Sequence, residues 1–136
     1  MSTRYLVANA VISIKNTRSK GYDFSRIIVP YSGLTMSVLR KIQENGYIVN
    51  VTETLDGVKR NISLDVKFNQ NGYSLVRDVK ILSKPSARVY YTVEKMRHIN
   101  MRNPFSLVIM STSCGVMTIV EALNRGIGGE AICTIF

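Results

Sequence analysis

Apolar residues at Leu6, Val7, Ala10, Val11 and Ile14 recur at steps of three and four, the stripe of an amphipathic helix. Lys15, Arg18 and Lys20 follow, where cations suit the helix dipole, and Gly21 supplies a stop. "SRIIVP" predicts a short strand ended by Pro30. A second helical stripe, Leu34, Val38, Leu39 and Ile42, has Ser32 or Thr35 as its cap and Gly46 as its end. "GYIVNVTETLDGVKRNISLDVKF" predicts a hairpin turning at Asp56 and Gly57. In its second arm Ile62, Leu64, Val66 and Phe68 alternate with Asn61, Ser63, Asp65 and Lys67, which predicts one buried face. "NQNG" at 69–72 is a turn or linker and marks the expected boundary between units at 1–70 and 71–136.

Beyond that turn the pattern is mostly of period two. Val79 and Ile81 alternate with Asp78 and Lys80, Pro85 interrupts, and "ARVYYTV" resumes as a β-branched and aromatic strand. "EKMRHINM" predicts a single helical turn, and "SLVIMST" a strand buried on both faces. Thr118 with Glu121 forms a T-x-x-E capping box that opens a helix, and Gly126 closes it. "GGEAICTIF" is the last strand. The expected class is α+β in two small lobes, an N-terminal αβαββ lobe and a C-terminal β-rich lobe with one short helix.

Charge sharpens this picture. Among 136 residues, 18 Lys and Arg face nine Asp and Glu, a net charge of +9. So basic a small protein favours a polyanionic partner, nucleic acid or an anionic membrane surface. No run of 18 or more apolar residues predicts a membrane span. The first 21 residues carry Arg and Ser and no acids, as a mitochondrial transit peptide does, but their apolar spacing fits a helix of the fold better. Two cysteines, Cys114 and Cys133, are too few for a disulfide framework or a zinc site. No cofactor is expected.

Catalytic chemistry finds little support. Cys114 is the candidate nucleophile, but a thiolate needs an activating base, and no pattern brings the single histidine, His98, to it. The acids are scattered, without a pair for acid–base work. "GIGGE" at 126–130 lacks the strand–turn–helix order of a dinucleotide loop and reads as a helix stop and tight turn with Glu130 exposed. The hydroxyl run Ser111, Thr112 and Ser113 is more informative. It ends a buried strand, which leaves its amides and hydroxyls free, and with Gly115 beside it the backbone can approach phosphates and 2′-hydroxyls. Thr118 already caps the following helix, so the run is not needed for that. Tyr90 or Tyr91, near Arg88 and Lys84, can stack on a base, and because neighbours on a strand point to opposite faces, one of the two belongs to the core.

"MSTSCGVMT", "EAL" and "GIGGEAICTIF" together resemble the C-terminal signature of the universal small-subunit ribosomal protein eight family, S-T-S-K/R-G-V/I-M-T-D followed by G-L/V/I-G-G-E. "SKPSARVYY", "VPYSGLTMSVLRKIQENGYI" and "ISIKN" are similar to its other segments, in the same order over nearly the whole chain. The resemblance implies a structural constituent of the small ribosomal subunit, not an enzyme. Such a protein binds the central domain of the small-subunit rRNA beside neighbouring ribosomal proteins and supports assembly for translation. It implies RNA contacts at Ser111, Thr112, Ser113, Gly128, Gly129 and Glu130, with Tyr90 stacking and Glu130 orienting the hydroxyl loop. The competing classes are a small thiol-dependent enzyme using Cys114 and a non-ribosomal regulatory RNA-binding protein. Three departures stand out. Cys114 replaces a usual Lys or Arg, Ile119 and Val120 replace usual charged residues, and the N-terminus lacks the D-P-I/L-A-D-M-L motif. They favour an organellar, mitochondrial ribosome over a bacterial or plastid one.

Overall fold

The computed structural model describes residues 3–17, 24–84 and 86–136. Arg18, Lys20, Gly21 and Pro85, given roles above, lie outside the described residues. Helix α1 (Thr3–Asn16) buries Val7, Ala10, Val11 and Ile14, the expected stripe. In α2 (Gly33–Glu44), Val38, Leu39 and Ile42 are buried. Its cap is Ser32, whose hydroxyl accepts from the Thr35 amide at 3.1 Å. The helix ends on Asn45, with Gly46 following.

Strands β1 (Phe24–Pro30), β2 (Ile48–Asp56) and β3 (Lys59–Lys67) form an antiparallel sheet in the order β1-β3-β2. Two expectations are corrected here. Asp56 pairs with Lys59, so the hairpin loop is Gly57 and Val58, one residue later than predicted. A two-residue loop needs a positive φ at its first position, and Gly57 takes it with φ 63. The second correction is that β3 is buried from Ile62 through Val66, not on alternate residues. As the central strand it is flanked on both edges, so the neighbouring side chains of β1 and β2 shield Ser63 and Asp65 on the face away from the core. Asp65 on the polar face accepts from Asn50 Nδ2 at 2.9 Å and Arg26 Nε at 3.2 Å. Those bonds, Asn50 first, hold its carboxyl below the usual carboxylate range.

The second sheet comprises β4 (Val79–Ile81), β5 (Tyr90–Tyr91), β6 (Leu107–Thr112), β7 (Gly115–Thr118) and β8 (Gly129–Ile135). Its order is β4-β8-β6-β7, and β5 pairs with β8 as well. β5 meets β8 at Gly129 and Glu130, and β4 meets it at Cys133 to Ile135. Between those stretches the Leu82 and Ser83 amides both donate to the Ile132 carbonyl. Opposite β6 the register slips: Ile109 faces Cys133, Met110 faces Ala131, and Ile132 is the extra residue of a bulge.

Two helices, not one, belong to this half. "EKMRHINM" is part of α3 (Val93–Arg102), a ten-residue helix capped by Thr92. Its buried stripe is thin, with Met96 fully enclosed and Val93 and Ile99 half-buried. Three cations, Lys95, Arg97 and Arg102, and His98 lie along the rest of its length. Helix α4 (Ile119–Arg125) is capped by the Thr118 hydroxyl and closed by Gly126, as expected.

Apolar burial joins the lobes. One cluster runs from Leu64 and Val66 of the first sheet through Val11 and Leu39 of the helices to Ile109, Ile132, Cys133 and Ile135 of the second sheet. A second cluster, with Met96, Met110 and Ala122 among its members, packs α3 and α4 on the other face. Lys41 Nζ of α2 also bonds both Glu121 carboxylate oxygens of α4, at 3.1 and 3.2 Å.

Candidate nucleic-acid interface

β6 enters this region with Val108, Ile109 and Met110 buried and reaches the surface at Ser111 and Thr112. The chain then reverses over Ser113 and Cys114 and returns as β7, a strand the sequence reading missed. Val116 and Met117 drive that return by packing on the two apolar clusters. Gly115 makes the reversal with φ 109, a conformation other residues adopt only under strain.

The hydroxyl run is therefore not free as a unit. Ser111 pairs with Val116 on one side and Glu130 on the other. Thr112 Oγ1 donates to the Gly115 carbonyl at 2.8 Å and accepts from the Cys114 amide at 3.2 Å. Thr112 thus clamps the turn, and Ser113 is the exposed hydroxyl at its tip.

Across β8 the same end is built by close approach. A Cβ on Gly129 would collide with the Ser111 carbonyl oxygen and touch the Thr112 methyl. On Gly128 it would lie 2.5 Å from the Tyr91 carbonyl oxygen. Bare glycines let β8 lie between β5 and β6 here. Glu130 is buried at 4% exposure, not exposed as the turn reading had it, because the strand pairing with Tyr90 and Ser111 encloses it. Among the described residues no buried side-chain oxygen or nitrogen lacks a hydrogen bond, so this carboxylate is satisfied.

The tyrosine ambiguity resolves. Tyr90 points outward, 66% exposed, while Tyr91 packs on the second apolar cluster, and burial pushes its phenol pKa up. Lys84 and Arg88 are both exposed on the loop leading to Tyr90. That loop is closed by Lys84 and Ala87, which exchange backbone bonds of 3.0 and 3.1 Å.

Sequence reasoning missed the residue that fastens the loop. Ser83, 1% exposed, donates its hydroxyl to the Ala131 carbonyl at 2.6 Å and accepts from the Val89 amide at 2.9 Å. A serine just before "KP" carries no sequence signal that separates it from ordinary loop polarity. Its burial follows from the loop folding back on β8, which no local period announces.

The thiol constellation is not assembled in one place. Cys114 lies exposed in the hairpin turn, whereas His98 lines a shallow pocket on α3 with Thr92, Glu94 and Lys95. Cys133 is enclosed in the core, and desolvation raises its pKa to about 12.

Residues 6–136 match the family described as ribosomal protein S8. The chain is 31% identical over 131 residues to the small ribosomal subunit protein uS8 of Campylobacter hominis, covering 96% of this chain and 97% of that protein. The uS8 proteins of Nautilia profundicola and Sulfurimonas denitrificans are similar to the same extent, 31% over 131 residues. These relatives are bacterial and do not favour a mitochondrial ribosome over a bacterial one. Over nearly its whole length, and with the serine hairpin and the glycine pair meeting on neighbouring strands, this chain belongs to the ribosomal protein S8 family.

Proposed function

We propose that the protein is a structural component of the small ribosomal subunit, without catalytic activity, whose second lobe (71–136) holds the central domain of the small-subunit rRNA. The observation that carries this reading is the convergence of Tyr90, Gly129 with Glu130, and Ser111 on three adjacent strands. The result is a surface with an outward ring, a hydroxyl tip and a closely approachable backbone, beside Lys84 and Arg88. Stacking, hydroxyl contacts and phosphate neutralisation are the modes by which irregular RNA is recognised. Glu130, Gly128 and Gly129 act by setting strand spacing. Ser113, Tyr90, Lys84 and Arg88 make the outward contacts. Neighbouring small-subunit proteins are further partners, and bacterial relatives leave a bacterial ribosome no less favoured than a mitochondrial one.

The test is affinity for a central-domain rRNA junction over a salt series. Binding should fall about a hundredfold over a fourfold rise in salt, through counterion release from a few phosphates. Tyr90→Ala should weaken it by about tenfold or more while the fold is kept, since stacking is worth about 1–3 kcal/mol per base. The Ser111/Thr112/Ser113 triple alanine should weaken it as well, partly through loss of the Thr112 clamp. Ser113→Ala alone separates hydroxyl contact from hairpin shape. Undiminished binding by Tyr90→Ala and the triple variant would sink this site and leave the basic surface alone to carry recognition.

A further inference from the structure

At the end of β8 remote from Tyr90, a cavity of about 570 Å³ opens between the lobes, lined by Tyr47, Leu75, Arg77, Arg102, Phe105 and Phe136 among others. Seven residues of β8 separate it from the hydroxyl end, roughly 20 Å at strand rise. Phe105 is 95% exposed on its rim, and Met101, 81% exposed, precedes Arg102. A second hollow shares Tyr47 and Phe105 and extends the surface to Val120, itself half exposed; Glu44 and Glu121 also line it, and Lys41 holds both carboxylates at 3.1 Å.

We propose that this surface docks a protein segment carrying a large apolar side chain beside a carboxylate. The lining argues for protein. Aromatic residues, Met and Arg are what the buried centres of protein interfaces enrich, and lysine, which they deplete, is absent from the residues around the cavity. Clustered exposed side chains of this size mark an interaction site and not ordinary surface. Charge selects the segment. Ion pairs among the described residues engage Lys15, Arg26, Lys41 and Arg60, and the Arg77 amide donates to the Phe136 main-chain oxygen at 2.8 Å, so the guanidinium groups of Arg77 and Arg102 stand beside an apolar hollow without a carboxylate side chain paired to them. An incoming Asp or Glu accepts from them while its neighbour's apolar side chain fills the cavity against Phe105 and Phe136. This proposal does not depend on the RNA reading, which concerns the opposite end of the strand.

The test uses the full chain and an acetylated hexapeptide of sequence Asp-Glu-Phe-Asp-Leu-Glu, followed by amide chemical shifts. Three further titrations accompany it: the peptide with every acid replaced by Lys, oligouridylate, and the protein alone over a concentration series. The acidic peptide should shift Tyr47, Leu75, Arg77 and Arg102 below about 1 mM, a weak but specific affinity. Phe105→Ser and Arg102→Glu, both at exposed positions, should each weaken it about tenfold or more, as truncated interface anchors do. The basic peptide should bind about tenfold more weakly. Tyr90→Ala should leave the peptide titration unchanged, which keeps failure of one site distinct from failure of the other. Equal binding by both peptides, or no shift at about 1 mM, would overturn the proposal. So would displacement of the acidic peptide by oligouridylate, which makes the surface an RNA site. Self-association abolished by Phe105→Ser would assign it instead to a second copy of the chain.

Discussion

The two ends of β8 are built from opposite materials. At its start the strand lies between Tyr90 and Ser111, and at its finish between Val79 and Leu107 before it runs out into Phe136. The first end is made by removing side chains: Gly128 and Gly129 let backbones approach, Thr112 locks the turn, and one ring and one hydroxyl remain outward. The second end is made by adding them: Phe105 and Phe136 stand exposed around a hollow flanked by arginines. One strand thus carries a surface where shape is set by backbone spacing and another where it is set by side-chain volume. The contrast teaches which substitutions each end tolerates. The glycine end should fail sharply with a single added carbon, and the aromatic end should lose partners without losing its fold.

The strongest way to break that contrast is Gly129→Val. The new branches would be driven into the Ser111 carbonyl and Thr112 methyl, and backbone cannot rotate aside as a side chain can. A loss of about 3 kcal/mol, the upper part of the range for overpacking, should appear as a lower calorimetric midpoint. Phe105→Ser, by comparison, should leave the midpoint unmoved. Equal midpoints for Gly129→Val and the parent would mean the strand spacing is not set by the glycine.

A milder cut is Ser83→Ala, which removes the hydroxyl holding the Lys84–Arg88 loop to β8 and leaves the Val89 amide and Ala131 carbonyl short of a partner. About 1–3 kcal/mol should be lost, since unmade buried bonds cost that much. Hydrogen exchange sharpens the test: the Val89 amide should exchange faster while amides of the first sheet keep their protection. Uniform acceleration would assign Ser83 to global stability instead.

The smallest effect is expected at Lys41 and Glu121, between the two lobes. Burial opposes the charge of Glu121, but the Lys41 bond and the Thr118 amide and hydroxyl outweigh it, so its pKa falls below the usual value. A lowered carboxylate pKa stabilises above the unfolded pKa, near 4.3, and its contribution fades as pH falls through the folded one. Burial likewise opposes the charge of Lys41, yet Glu44 and Glu121 raise its pKa, so its contribution fades only as pH climbs through that raised value. With both groups partly in water, Glu121→Gln should cost under about 1 kcal/mol at pH 7. Denaturant titrations at pH 7 and pH 3 should show the gap closing at the lower pH. A gap that persists at pH 3 would locate the effect in packing.

Much of the fold was legible because long elements advertise their period. The stripes of α1 and α2 and the Thr118–Glu121 cap were read directly, since each needs only residues close in sequence. α3 was underestimated because its fully buried content is Met96 alone, the rest of its stripe is half-buried, and its cations mask the stripe. β7 was missed because four residues after a hydroxyl run carry too little alternation to show a strand, and Ser113 and Cys114 are not a familiar turn pair. At the site, Tyr90, Lys84 and Arg88 were readable as exposed chemistry. The burial of Glu130 and Ser83 was not, because it arises from strands that meet only in three dimensions. The aromatic cavity escaped notice for the same reason: Tyr47, Leu75, Phe105 and Phe136 are far apart in the chain.

The apolar cluster that runs from Val7 to Ile135 has a consequence for timing. Two lobes joined only by a linker would tumble against each other, and a nucleic acid would have to wait for, and then arrest, their relative motion. Here the lobes share buried side chains and a lysine–carboxylate strut, so their mutual orientation is fixed before any encounter. An RNA that docks on the hydroxyl end meets a finished mould. Under the proposed RNA-binding role, the loss of freedom on association would fall on the RNA, with the protein as the ruler against which a junction is measured.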